Sequence, residues 1–218
     1  MEALSVRYSQ IFWDFDGTIM NTYPSMVEAV VKALTQMGIS EFEIDDGEIY
    51  EAMRQSDLET ALTQASAMYN LDKAALKDRY EANEKSMVKT AKPFLGVPEI
   101  LQFVVDNGGR NFLLTHRDQS ALKGLEAERL ASFFTGTVTK DQPFPRKPNP
   151  ASLESLMTTY VVDKDAAMMV GDRNLDVEAG HNAGIAGALF DPDHLIRVYS
   201  NPEIRVSQMP ELEEWLEH

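Results

Sequence analysis

A short apolar segment, Gln10-Ile11-Phe12-Trp13, runs directly into Asp14-Phe15-Asp16-Gly17-Thr18, and this junction constrains the chain more than any other feature. The β-branched and aromatic content of the segment favours a buried strand over a helix. Gly17 then permits a sharp backbone turn. Comparable buried segments follow at residues 111–115, 134–138, 166–170 and 187–190. Helical stretches separate them, at 99–107, 118–131, 151–160 and about 176–183. Strands that alternate with helices imply a parallel sheet covered on both faces. The expected fold is therefore α/β, a doubly wound parallel sheet.

Between the first strand and the rest lies a different texture. Residues 25–92 contain no proline and residues 48–92 no glycine, while Val88 is the only β-branched aliphatic residue from 51 to 92. Strong helix formers dominate. Met26, Val30, Leu34 and Met37 form the apolar face of a first helix, ended by Gly38. Ser56 with Glu59 reads as a capping box for a second helix, and Asp72 as the cap of a third. Pro24 and Pro93 bracket the block. The division is residues 1–20 and 93–215 as an α/β core, with 21–92 as a helical insertion. Residues 216–218 read as the remnant of an expression tag.

Composition narrows the partners. Thirty-five acidic against 20 basic residues give a net charge of −15. Such a chain repels phosphate backbones and anionic lipid, so neither nucleic acid nor a membrane surface is an expected partner. The longest stretch free of Asp, Glu, Lys and Arg is 12 residues, at 179–190, against roughly 20 for a membrane span. The first residues lack the basic and apolar blocks of a secretion signal. With no cysteine, there are no disulfides, thiolate metal sites or cysteine nucleophile. A cytoplasmic protein, a monomer or weak homodimer, is expected.

In an open parallel sheet, ligands bind at the C-terminal ends of the strands. Polar and ionisable groups collect there: Asp14 and Asp16, Thr115, Lys147 in a loop carrying four prolines, and Asp172 with Asp176. Chance placement accounts poorly for all four groups along one alternating pattern. The constellation resembles the haloacid dehalogenase-like superfamily of hydrolases and phosphotransferases. Asp14-Phe-Asp-Gly-Thr18 matches its first motif, DxDGT, and Leu113-Leu-Thr115 its second. Lys147 matches the third and Gly171-Asp172-Arg-Asn-Leu-Asp176 the fourth, GDxxxD. The motifs stand in the family's order, and the helical insertion lies where its C1-type cap domain sits.

The resemblance implies a Mg²⁺-dependent phosphatase acting on a small phosphorylated metabolite. In those roles Asp14 is metal ligand and nucleophile, forming an aspartyl-phosphate. The Asp16 carbonyl binds the metal while its side chain serves as acid and base. Gly17 lets the backbone approach phosphate, Thr115 donates to a phosphoryl oxygen, and Lys147 offsets charge. Asp172 completes the metal ligands, with Asp176 reaching the metal through water or holding Lys147. Dehalogenases of this superfamily lack the second Asp of DxD, so Asp16 favours phosphoryl transfer. Met20-Asn21-Thr22 departs from the acidic residue that many capped relatives carry there. Alternatives are a phosphomutase with the same chemistry, a signalling phosphoacceptor, and a non-catalytic binding protein. His116 is a candidate substrate contact, as is Arg117 beside it. Among the basic residues of the insertion (Arg54, Lys73, Lys77, Arg79, Lys85, Lys89), Arg54 is the preferred substrate contact.

Overall fold

The computed structural model describes residues 6–87 and 90–218, so Val88, Lys89 and the first five residues lie outside it. The chain forms two compact units, one running to Met20 and resuming over Pro93–His218, the other Asn21–Lys92.

Among the described residues the insertion holds four α-helices: α1 (Tyr23–Gln36), α2 (Asp46–Gln55), α3 (Leu58–Met68) and α4 (Lys73–Met87). Their apolar faces meet in one core, with Val30, Leu34, Met53, Leu62 and Leu76 fully buried. Pro24 sits inside the first turn of α1, where its missing N–H costs nothing. Asp72 caps α4 as expected, accepting from the Ala75 N–H at 2.7 Å. The expected capping box is displaced by one residue. Asp57, not Ser56, caps α3, accepting from the Thr60 N–H at 2.7 Å, while Ser56 ends α2 by donating its N–H to the Ala52 carbonyl. Lys73 and Lys77 both pair with Glu59, at 2.5 and 3.1 Å, on the exposed face.

The larger unit is a six-stranded sheet: β1 (Gln10–Trp13), β2 (Arg110–Leu114), β3 (Phe134–Val138), β4 (Ala167–Gly171), β5 (Ala186–Phe190) and β6 (Ile204–Val206). The spatial order is β3-β2-β1-β4-β5-β6, and every pairing is parallel. Around it lie α5 (Val97–Asp106), α6 (Ser120–Ala127), α7 (Ala151–Tyr160), α8 (Asn174–Ala183) and α9 (Met209–Glu217). Central strands buried on both faces read as continuous apolar runs, and Ile11, Phe12, Trp13 and residues 167–170 are all fully buried. The Phe12 and Phe112 rings stack at 4.7 Å. The Trp13 indole N–H donates to Asn111 Oδ1 at 2.9 Å, and Asn111 donates onward to the Leu101 carbonyl at 3.0 Å. The polar atoms of this apolar layer are thus partnered.

Three elements were not expected: α2 in the insertion, and β6 and α9 in the larger unit. Three residues are too few for β6 to show a period. It is held instead by its pairing with β5 and by Asp191, fully buried beyond β5, which pairs with Arg205 and accepts from the Leu195 and Ile196 N–H groups. Helix α9 buries Met209, Leu212 and Leu216. Leu216, within the stretch read as a tag remnant, is fully buried, and its carbonyl accepts the Arg7 N–H at 2.8 Å. No helix among the described residues is long and apolar enough to cross a membrane.

The displaced cap gives a direct check. Asp57→Ala should cost about 1 kcal/mol of stability in urea unfolding, and Ser56→Ala only a few tenths. Equal costs would return the cap to Ser56.

Candidate active site

Strand β1 occupies the centre of the sheet, with β2 on one side and β4 on the other, so the chain order reverses at this strand. Such a reversal opens a crevice at the carboxyl ends of the strands. Asp14 follows β1 and donates its N–H to the Val170 carbonyl at 2.9 Å. Thr115 follows β2 and donates its N–H to the Val138 carbonyl at 3.0 Å. Asp172 follows β4, and Asp176 lies in the first turn of α8. All four are buried.

Lys147 arrives from the loop after β3 and joins these groups. Its ammonium lies 2.6 Å from Asp14 Oδ1 and 2.6 Å from Asp176 Oδ1, and it donates to the Leu114 carbonyl at 3.2 Å. Three partners match its three N–H groups. Burial would lower its pKa, but the two carboxylates outweigh burial and raise it. Asp14 is pushed up to about 7, chiefly by burial, with Asp176 and Asp172 adding repulsion against the pull of Lys147. Asp176 also feels burial, yet Lys147 and Arg173 hold it below its ordinary value. One oxygen from each of Asp14, Asp172 and Asp176 lies within 4.8 Å of the others. Lys147 serves Asp14 and Asp176, and Arg173 Nε lies 3.7 Å from Asp172 Oδ1, so three buried carboxylates face two cations and the cluster stays short of positive charge. An all-carboxylate donor set suits a hard divalent cation, so these residues fit a metal of the Mg²⁺ type.

The remaining predicted residues fall into three places. Asp16 is on the turn after β1, where Arg117 holds its carboxylate, with Nε 2.9 Å from each oxygen. Gly17 has φ +75°, as its turn requires, but its N–H donates to the Met20 carbonyl at 2.8 Å. Its role is the turn itself, since that N–H is already engaged. Thr115 Oγ1 accepts from the Arg117 N–H at 3.0 Å, leaving its hydroxyl proton to donate. His116 Nε2 accepts the Lys147 backbone N–H at 2.9 Å, so the ring braces the lysine loop. Burial first, then Lys147, Arg146 and Arg173, depress its pKa to about 3. Arg54 belongs to the insertion, where it is enclosed on α2 with its guanidinium 5.0 Å from the Tyr23 ring centre.

Sequence reasoning named Gly171 within GDxxxD but gave it no role of its own. A Cβ there would lie 2.2 Å from Asp176 Cβ and 2.3 Å from its Cγ. Only a residue without a side chain lets α8 start close enough for Asp176 to meet Lys147. A glycine directly before a strand-end aspartate was the available signal.

A model of the haloacid dehalogenase-like hydrolase family matches residues 11–190, and the chain belongs to that family. It is thus an enzyme of the hydrolase class. It is 25% identical over 212 residues to the pyrophosphatase PpaX of Halalkalibacterium halodurans, covering 88% of this chain and 94% of that one. It is 26% identical over 183 residues to a phosphoglycolate phosphatase of Caulobacter vibrioides, covering 82% and 77%. A solved hydrolase structure from Streptococcus pneumoniae is 32% identical, covers 84% of this chain and 93% of its own, and superposes with a TM-score of 0.67.

Two outcomes follow from the packing and charge. Gly171→Ala should lower stability by about 1–3 kcal/mol, as overpacking does, in denaturant unfolding. A change within a few tenths would show that α8 can shift. For Asp14, the folded value of about 7 stands above the ordinary 3.8. The folded state then binds the extra proton between these values, and stability is lost as pH rises through about 7. Without divalent cation, Asp14→Asn should be more stable than the parent near pH 8, the two converging toward about pH 4. A parent that is the more stable near pH 8 would contradict this charge balance.

Proposed function

We propose that the protein is a Mg²⁺-dependent phosphatase that removes phosphate from a small soluble phosphorylated molecule through an aspartyl-phosphate on Asp14. The observation that carries this reading is the buried Asp14–Lys147–Asp176 chain beside Asp172, at the point where the strand order reverses.

Each residue has a task that its position suits. An Asp14 carboxylate oxygen forms a bond to phosphorus while the bond from phosphorus to the leaving oxygen breaks. The Asp16 carboxyl gives that oxygen a proton. Asp16 then takes a proton from water as the water oxygen attacks phosphorus and the Asp14–phosphorus linkage breaks. Thr115 donates its hydroxyl to a phosphoryl oxygen, and Lys147 keeps Asp14 oriented while offsetting charge on the transferring group. Asp14, Asp172, Asp176 and the Asp16 carbonyl would hold Mg²⁺, which neutralises the repulsion between carboxylate and phosphate when bound. Residues 21–92 take the part of the cap domain in this reading, and a small metabolite is the substrate class it favours. The names of the relatives put pyrophosphate and phosphoglycolate into the first panel of substrates.

Phosphate release from that panel should require Mg²⁺ and fall about a thousandfold or more in Asp14→Asn. Turnover that survives Asp14→Asn would overturn the covalent route. A folded enzyme inert on every substrate would favour the phosphomutase alternative, in which a second hydroxyl replaces water.

A further inference from the structure

Arg117, at the strand end after β2, places its guanidinium on Asp16, a residue of the proposed chemistry. Its Nε lies 2.9 Å from both Asp16 oxygens and its Nη2 2.9 Å from Oδ1. The pair is largely enclosed, the side chains being 11% and 23% exposed. The arginine backbone is fixed as well. Its N–H donates to Thr115 Oγ1 at 3.0 Å, and its carbonyl accepts the Lys140 N–H at 3.0 Å. A rigid strand-end anchor therefore sends a side chain across from β2 to the turn after β1.

We propose that Arg117 holds Asp16 until an incoming phosphate group displaces the carboxylate from its guanidinium, and that the arginine then orients the leaving oxygen toward the freed Asp16. This rests on the phosphatase reading. The physical basis is competition for a single planar donor. A guanidinium binds carboxylate and phosphate with the same forked geometry. An Asp16 carboxylate gripped along both oxygens has its rotamer fixed but cannot turn toward a leaving oxygen. A phosphate carries more charge than a carboxylate and draws the fork to itself, leaving Asp16 to swing into place. Substrate arrival and release of the acid are then one event. Without substrate, the acid is held out of use.

Phosphate release by the parent, Arg117→Ala, Arg117→Lys, Asp16→Asn and the Asp16→Asn/Arg117→Ala double variant tests this. Arg117→Ala should lower kcat about tenfold to a hundredfold and raise KM. Arg117→Lys should restore KM more than kcat, because an ammonium attracts phosphate but cannot present a fork. In the Asp16→Asn background, Arg117→Ala should leave kcat unchanged and still raise KM. Independent, multiplying effects on kcat would overturn the proposal.

A second measurement keeps the proposal testable if no substrate turns over, the result that would sink the phosphatase reading alone. The Arg117 side-chain Nε–H resonance in ¹⁵N-labelled protein, assigned by its loss in Arg117→Lys, is followed as inorganic phosphate is added with Mg²⁺. Exchange of partners predicts a saturable shift that Asp16→Asn reduces. A resonance unmoved by saturating phosphate would overturn the proposal.

Discussion

The Lys147 ammonium, shared between Asp14 and Asp176, is the contact on which the site depends. A buried cation is costly to desolvate and persists only when every donor finds a partner. Lys147 finds three, two of them charged. The same residue is gripped at its backbone by His116. That ring is neutral above about pH 3 because burial and the neighbouring cations oppose its protonation. A lysine on a long loop is ordinarily mobile, but this one is fixed at both ends, and its position sets those of the two carboxylates.

The carboxylates explain in turn why the surrounding backbone is as it is. Asp14 needs β1 at the centre of the sheet, flanked by β2 and β4, so that Thr115 and Asp172 flank it. Asp176 needs α8 to begin almost against β4, which the bare backbone of Gly171 allows. The charge balance is unfavourable to folding, since burial and two like charges oppose ionised Asp14. Stability is given up locally and recovered in the apolar layer of Phe12, Phe112 and Met169 beneath.

Much of this was legible in the chain because it depends on local pattern. The strands at 10–13 and 134–138 and the helix at 151–160 coincide with the observed elements, since apolar runs bounded by turn residues carry their own signal. The family was readable from the ordered motifs, and the parallel sheet from the alternation of strands with helices. What escaped depends on partners distant in sequence. Strand β6 is held by its pairing with β5 and by the meeting of Asp191 and Arg205, neither of which a three-residue segment signals by a period. Leu216 carried no sign in the sequence that α9 turns it inward. Adjacent polar residues at 56 and 57 both suit a helix start, and only the N–H that each could reach decides between them. Arg117 was visible as a basic residue at a strand end, but its grip on Asp16, 101 positions earlier, was not.

The insertion leaves and rejoins the chain at a single place. In the larger unit Met20 and Pro93 form an antiparallel bridge, and the Phe94 N–H donates to the Ile19 carbonyl at 3.1 Å. At the base of the insertion the Asn21 N–H donates to the Lys92 carbonyl at 2.9 Å. Departure and return are clasped side by side, so the sheet sees 72 residues as it would a closed hairpin. A module attached through one such clasp can be lengthened, shortened or exchanged in evolution without rethreading a strand. The residues inside the clasp and those outside it can then be inherited separately, each free to change while the other stays the same.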